Sequence, residues 1–468
     1  MARVLVATVP VPAHTRNALP IVARLVERGH EVVWFASRHF HDDIEAVGAT
    51  PVPYGLTRDF DGERLLAEFP QLAGLRGPRA IGRAYADVFV GGARHRVADL
   101  SALLAEQPVD VILCDGLSYG VSLLAEVHGV PYATIGDGPI AHAHGPTPAF
   151  GPGLQPMSGP LSAPLSRLRN HAVRTATRRW ILAQAQADHD EVRADLGLAP
   201  DDRSVLEVSM SPLLHLQGCT PSFEYPTPTM PASVRWIGAL RPDPPANWSP
   251  PAWWDELLAS SRPVVHVTQG SIRPDMRELI VPALRAMADE DVLVVVTTGR
   301  VPEPELVADL GMPLPENARV CEFIPYDLLL PHVDVCVANG GYTGVTTALH
   351  HGVPLVQVGS SEEKAEIGAR IRWSGVGVRM RAASPSPRRL RAAVRRVLHD
   401  PAYRAAAQRI GAEMRSHDAG REGADLVERL CAPATARGAL APEGYSTVGS
   451  GDSPGVHDRG TTPELSCR

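Results

Sequence analysis

Apolar residues recur along this chain in two separate alternations of short continuous runs and helix-period segments. In the first, Arg3–Val9, Glu31–Ala36, Val109–Cys114 and Pro131–Ile135 are short, mostly apolar runs, the pattern of strands covered on both faces. Between them, Leu19–Arg28 and Val121–His128 carry helical spacing, and Gly29 ends the former. Such alternation predicts a parallel sheet with helices on both faces. Gly138–Leu168, rich in Gly, Pro and Ser, reads as a long loop. Helical patterns over Arg169–Asp195 follow, then a short strand at Leu213–Gln217. Prolines crowd Thr220 to Pro263, as expected of a linker. The second alternation has strands at Val264–Thr268, Val292–Thr297, Val320–Phe323, Val333–Ala338 and Leu355–Val358, with a helix over Met276–Ala288. Helices at Pro387–Leu398 and Pro401–Leu430 close it.

The expected plan is therefore two α/β domains, 1–220 and 263–400, joined by the linker 221–262. C-terminal helices (401–432) follow, and then a Gly/Ser/Pro/Thr-rich tail, 433–468, whose composition predicts disorder. The length of 468 residues agrees with two domains. Ligands of open α/β sheets lie outside the carboxyl ends of the strands, so the cleft between two such domains is the expected site.

A formal net charge of −7 argues against nucleic acid or an anionic membrane as the main partner. The six cysteines are scattered without a CxxC pair, which fits reduced thiols rather than a disulfide framework or zinc site. No stretch of about 20 apolar residues offers a membrane span, and a soluble cytoplasmic protein is expected.

Candidate chemistry gathers at strand ends. Val333–Ala338 leads into Asn339-Gly340-Gly341-Tyr342-Thr343-Gly344, and then into a helical start. A glycine-rich strand-to-helix turn offers unpaired N–H groups and the positive end of a helix dipole to an anion; many such turns simply make tight corners. His14 follows the first strand, where an imidazole could act as a base near neutral pH or merely bond a loop carbonyl. Asp115 follows the strand Val109–Cys114 on the same edge, placed to orient that imidazole or to cap the next helix.

Several ordered motifs resemble the family 1 UDP-glycosyltransferases. These are Val9-Pro10-Val11-Pro12-Ala13-His14 followed by Arg28-Gly29-His30-Glu31-Val32, Val265–Ser271 with its Gly270-Ser271 turn, Phe323-Ile324-Pro325-Tyr326, and Asn339–Pro354. The likeness covers roughly residues 1–430 and is strongest to bacterial enzymes acting on macrolides and other lipophilic natural products. It implies the GT-B fold, two Rossmann-like domains facing across a cleft. It also implies an inverting, metal-independent transfer of a hexose from a UDP- or dTDP-sugar to a lipophilic hydroxyl, with no cofactor besides that co-substrate. His14 would be the base, with Asp115 behind it. The donor would be held by Gly270, Ser271, Ile324, Asn339, Gly340, Gly341, Thr343, Gly344, Thr347, Glu363 and Lys364.

Four places depart from the family pattern. Asn339 stands where a histidine is usual, Thr343-Gly344 where a Gly-Thr pair is common, Thr347 where a glutamate holds the ribose, and Glu363-Lys364 where an acidic–glutamine pair binds the sugar. Lys364, the chain's single lysine, could serve the donor or form a surface ion pair with Glu362 or Glu366. His142 and His144 in the long loop are candidates for the acceptor pocket or ordinary loop polar groups. Asp59-Phe60-Asp61 and Asp188-His189-Asp190 match a DxD metal signature but read as solvated, and Trp253-Trp254 as packing between domains. Competing readings are an epimerase or hydrolase on the same fold and a non-catalytic sugar-nucleotide-binding homologue. The chain is expected to act as a monomer or homodimer.

Overall fold

The structure is a computed structural model that describes residues 1–432 except 76, 142–146, 160, 228–229, 246, 271–274, 300, 360–362 and 383. His142, His144, Ser271 and the tail 433–468 lie outside the described residues.

Thirteen short strands form two sheets among the described residues. In the first half they are β1 (Arg3–Ala7), β2 (Glu31–Ala36), β3 (Thr50–Pro53), β4 (Val111–Asp115), β5 (Tyr132–Gly136), β6 (Leu214–Gln217) and β7 (Val234–Trp236). Their spatial order is β3-β2-β1-β4-β5-β6-β7, with every pairing parallel. The second half contributes β8 (Val264–Thr268), β9 (Leu293–Thr297), β10 (Ala318–Cys321), β11 (Val335–Ala338), β12 (Leu355–Val358) and β13 (Gly377–Met380). These run in the order β10-β9-β8-β11-β12-β13, again all parallel.

Strands such as Val-Ile-Leu-Cys-Asp of β4 and Leu-Val-Val-Val-Thr of β9 are buried along their whole length. Each sheet therefore needs cover on both faces, which explains four large apolar clusters, two per sheet. The order of strands reverses between β1 and β4, and again between β8 and β11. Strands adjacent to a reversal send their connections to opposite faces, leaving an open crevice at their carboxyl ends.

Two connections differ from the sequence expectation. β7 comes from inside the proline-rich segment expected to be linker and extends the first sheet by pairing with β6. Three residues are too few to show a period. The stretch Pro401–Leu430 is two helices, Pro401–Arg415 and Ala419–Cys431, broken where the Asp418 side chain caps the second by accepting from the Arg421 N–H. The break lets the last helix cross back, so that Ala424, Val427 and Leu430 join the core of the first sheet. The helix Ala419–Cys431 thus ties the two halves together. Trp253 and Trp254 pack with Trp248 onto the core of the second half, with the Trp253 indole N–H donating to the Val320 carbonyl. Their polar and ring partners, the Val320 carbonyl and His332, belong to the second half.

Candidate functional site

His14 lies in the short helix Pro12–Arg16, separated by residues 8–11 from the end of β1 at Ala7. Pro12 opens that helix at a position where a missing N–H costs nothing. Asp115 is the last residue of β4, and Asp137 follows β5 directly. Three adjacent strands thus deliver an imidazole and two carboxylates to one edge, across the first reversal of strand order.

The carboxylates converge on one ring nitrogen. His14 Nδ1 is 2.6 Å from Asp137 Oδ2 and 3.3 Å from Asp115 Oδ1. Neither oxygen meets the Nδ1 donor squarely, as expected when two acceptors share one N–H. The ring is 19% exposed, whereas the Asp115 side chain is fully buried. Asp115 is held rigidly: Oδ2 accepts from the Val9 N–H and the Ser118 hydroxyl, and Oδ1 from the Leu117 N–H. Burial alone would lower the His14 pKa, but Asp137 and Asp115 outweigh it and raise the pKa well above the ordinary histidine value. For Asp115, burial pushes upward, yet the adjacent His14 ring and hydrogen bonds from Ser118 and Leu117 hold its carboxyl below the usual range. With Nδ1 turned to the carboxylates, Nε2 is the ring position left for a proton from elsewhere.

Asp137 is the residue that sequence reasoning missed. In Gly136-Asp137-Gly138-Pro139 it reads as ordinary turn chemistry. The rule that selected Asp115, a polar residue just beyond a buried strand, would also have found it.

Across the second reversal stand the ends of β8 and β11. The β11 turn runs Asn339, Gly340, Gly341 into the helix Tyr342–His350. Gly340 has φ +91°, and a Cβ there would come within 2.7 Å of the Gln357 side chain. Beside Gly341 nothing among the described residues lies within 4 Å of that position, so among them the turn is closed at Gly340 and open at Gly341. The first N–H groups of the Tyr342–His350 helix have no acceptor within the helix.

Several expected contacts are used internally. The Asn339 amide donates to the Gln269 carbonyl while its oxygen accepts from the Gly341 N–H at 3.3 Å. Asn339 therefore braces the turn, and Gly341 spends its donor there. Thr347 is buried, and its hydroxyl donates to the Thr343 carbonyl one turn earlier at 2.8 Å. In this arrangement Thr347 offers no free hydroxyl proton to a ribose. Ile324 is buried beside Phe323, which is exposed. Gly270 (φ +74°) abuts Asn339, joining the β8 and β11 turns.

The two edges touch. The Asn17 amide, one residue past the His14 helix, donates to the Thr343 hydroxyl at 3.0 Å, and Gln217 donates to the Tyr342 hydroxyl at 2.7 Å. Glu363 and Lys364 stand at the start of the helix Lys364–Trp373, where Lys364 is buried rather than a surface residue. Burial, then the negative charge of Glu363 and of Asp137, pushes the pKa of the Tyr85 hydroxyl upward. The first half also reaches that helix through its long loop. Gly151 and Gly153 N–H groups both donate to Glu366, which with Glu224 clasps the buried Arg370 guanidinium.

Among the described residues no group of three His, Cys, Asp or Glu side chains is arranged so that it could hold a metal ion. Asp61 caps the turn Gly62–Arg64, and Asp188 and Asp190 accept from Gln184 and Gln186. A surface hollow lined by Arg277, Arg285 and Asp309 shares no residue with the cleft. No described helix is long and apolar enough to cross a membrane.

Residues 283–430 match the family described as Erythromycin biosynthesis protein CIII-like, C-terminal domain. The chain is 42% identical to 4'-demethylrebeccamycin synthase of Lentzea aerocolonigenes, over 92% of this chain and 99% of that one. It is 32% identical to UDP-glycosyltransferase 2 of Phaeomoniella chlamydospora, over 92% and 96%. Among solved structures it resembles CalG4, the calicheamicin glycosyltransferase (TM-score 0.69, 22% identity, 92% and 98% coverage), and glycosyltransferase VinC in complex with dTDP (TM-score 0.65, 24% identity, 92% and 99%). The fold is that of the GT-B glycosyltransferases.

Proposed function

Because the chain belongs to the family 1 UDP-glycosyltransferases, in the branch that modifies antibiotics and other natural products, we propose that it moves a hexose from a UDP- or dTDP-sugar to a hydroxyl of a lipophilic small molecule, with inversion and without a metal. One observation carries the assignment of roles. His14, backed by two carboxylates, ends one helical turn before Asn17, which is bonded to Thr343 of the glycine turn. A base on the first edge and a diphosphate site on the second then flank a single anomeric carbon.

In the proposed reaction the acceptor oxygen attacks the anomeric carbon from the face opposite the leaving group. Its proton passes to His14 Nε2 as the new C–O bond forms. The bond to the diphosphate oxygen breaks, and the electron pair departs with the diphosphate. Asp115 and Asp137 stabilise the imidazolium that results. Charge growing on the diphosphate meets the Thr343 and Gly344 N–H groups and the helix dipole, donors already oriented before the reaction. Gly340 closes the turn on Gln357, and Asn339 holds its shape. Glu363 and Lys364 are proposed to bind the sugar, with Gly270, Ser271 and Ile324 completing the donor site. Tyr85, His142 and His144 are assigned to the acceptor side, and the protein works as a monomer or homodimer.

The test is a screen of UDP- and dTDP-hexoses against lipophilic aglycones, read by mass shift. A hexose added to an aglycone supports the reading. Consumption of the nucleotide sugar alone, or binding without turnover, would replace it with the hydrolase or non-catalytic alternative.

A further inference from the structure

The helix Ser162–Ala176 is packed inside out. Its buried side chains are Ser166 and Asn170, and the Asn170 amide donates to the Thr147 carbonyl. Leu161, Leu165 and Leu168, spaced four and three residues apart, form one stripe with Ala172. They face solvent at 67%, 49% and 69% exposure. The helix passes into a wider turn at Thr177–Ile181, where Trp180 is 81% exposed. Core helices bury such a stripe, so this one is built to be covered by something else.

The charge around it identifies the cover. Residues 138–187 contain five arginines (Arg167, Arg169, Arg174, Arg178, Arg179) and no Asp or Glu, in a chain whose net charge is −7. The whole-chain balance conceals this local reversal of sign. Arg167, Arg178 and Arg179 are exposed beside the apolar stripe. A second copy docking here would set the three exposed arginines against three. An anionic lipid surface suits both features, since leucine and tryptophan enter the headgroup boundary while arginines stay at the phosphates.

We propose that the face formed by Leu161, Leu165, Leu168 and Trp180 with its flanking arginines docks this protein onto anionic membrane surfaces. The helix lies flat in the interface and crosses nothing. The docking face shares no residue with the transfer site and stands or falls independently of it.

The full chain is sedimented with vesicles of phosphatidylcholine and phosphatidylglycerol in equal parts, and with vesicles of phosphatidylcholine alone. Binding to the mixed vesicles is expected, weakened by salt. Leu165→Ser/Leu168→Ser/Trp180→Ser lowers it by about tenfold or more, with an unchanged melting temperature because these side chains are already in water. Arg167→Gln/Arg179→Gln lowers binding to the mixed vesicles and leaves binding to the neutral ones as it was. Absence of sedimentation at low ionic strength, or equal sedimentation of wild type and the triple variant, would overturn the proposal. So would sedimentation velocity showing that the same leucines hold two copies, or a second protein, on this face.

Discussion

Asp115→Asn exchanges one carboxylate oxygen for an NH2 group in a pocket built entirely of donors. Oδ2 receives the Val9 N–H at 2.9 Å together with the Ser118 hydroxyl, and Oδ1 receives the Leu117 N–H at 2.8 Å with His14 Nδ1 3.3 Å away. An amide keeps one accepting oxygen. If its NH2 faces Ser118, that hydroxyl can accept from it while continuing to donate to the Ala7 carbonyl, but the Val9 N–H is stranded. If the NH2 faces Leu117, the Leu117 N–H is stranded instead. One buried donor without an acceptor is unavoidable, at about 1–3 kcal/mol. The negative charge behind His14 is halved at the same time. Turnover should fall about a hundredfold, the lower range of what a positioned general base contributes, because Asp137 remains. Thermal melting and single-turnover product formation measure the two effects separately. A variant with wild-type melting and wild-type turnover would refute both the packing argument and the role given to Asp115.

Asp137→Asn removes a charge at 2.6 Å from His14 Nδ1 and should move the acidic limb of the kcat/KM profile to lower pH. The sign follows from His14, whose folded-state pKa is raised. The imidazolium's stabilisation is fully present below the unfolded value and is lost as pH rises through the folded one, so the wild-type base becomes available only above the ordinary histidine range. An unmoved limb would show that Asp137 does not act on His14. Gly340→Ala forces a side chain into φ +91° and against Gln357, costing about 1–2 kcal/mol for the backbone and about 1–3 for the contact. Calorimetric titration with UDP or dTDP should show weakened binding; unchanged affinity would place the diphosphate elsewhere. Arg370→Met leaves Glu224 and Glu366 buried without their shared cation, a loss of about 3–5 kcal/mol. The melting temperature should drop, and recover when Glu224→Gln and Glu366→Gln are added.

The fold was most legible where burial is two-sided. Glu31–Ala36, Val264–Thr268 and Leu355–Val358 appear as strands with the expected bounds because continuous Val- and Leu-rich runs have no other comfortable conformation. Asp115 stood out because it ends such a run, and His14 because it lies in the first turn after one. What could not be read depends on partners distant in sequence. β7 is defined by β6 rather than by its own three residues. The return of Ala419–Cys431 to the first sheet is set by a cap and by the shape of the surface receiving it. Whether Asn339 faces a ligand or braces its own turn is decided by the Gln269 carbonyl, contributed by another strand. The two carboxylates on one imidazole nitrogen needed the strand order β1-β4-β5, which periodicity does not encode.

Turnover by His14→Ala, measured beside calorimetric binding of UDP and dTDP, tests the central claim most directly. The glycine turn does not depend on the imidazole, so nucleotide affinity should stay at the wild-type level while sugar transfer falls about 10²–10⁴-fold. Transfer at the wild-type rate with nucleotide binding intact would contradict the account, because the proton would then leave the acceptor by another route.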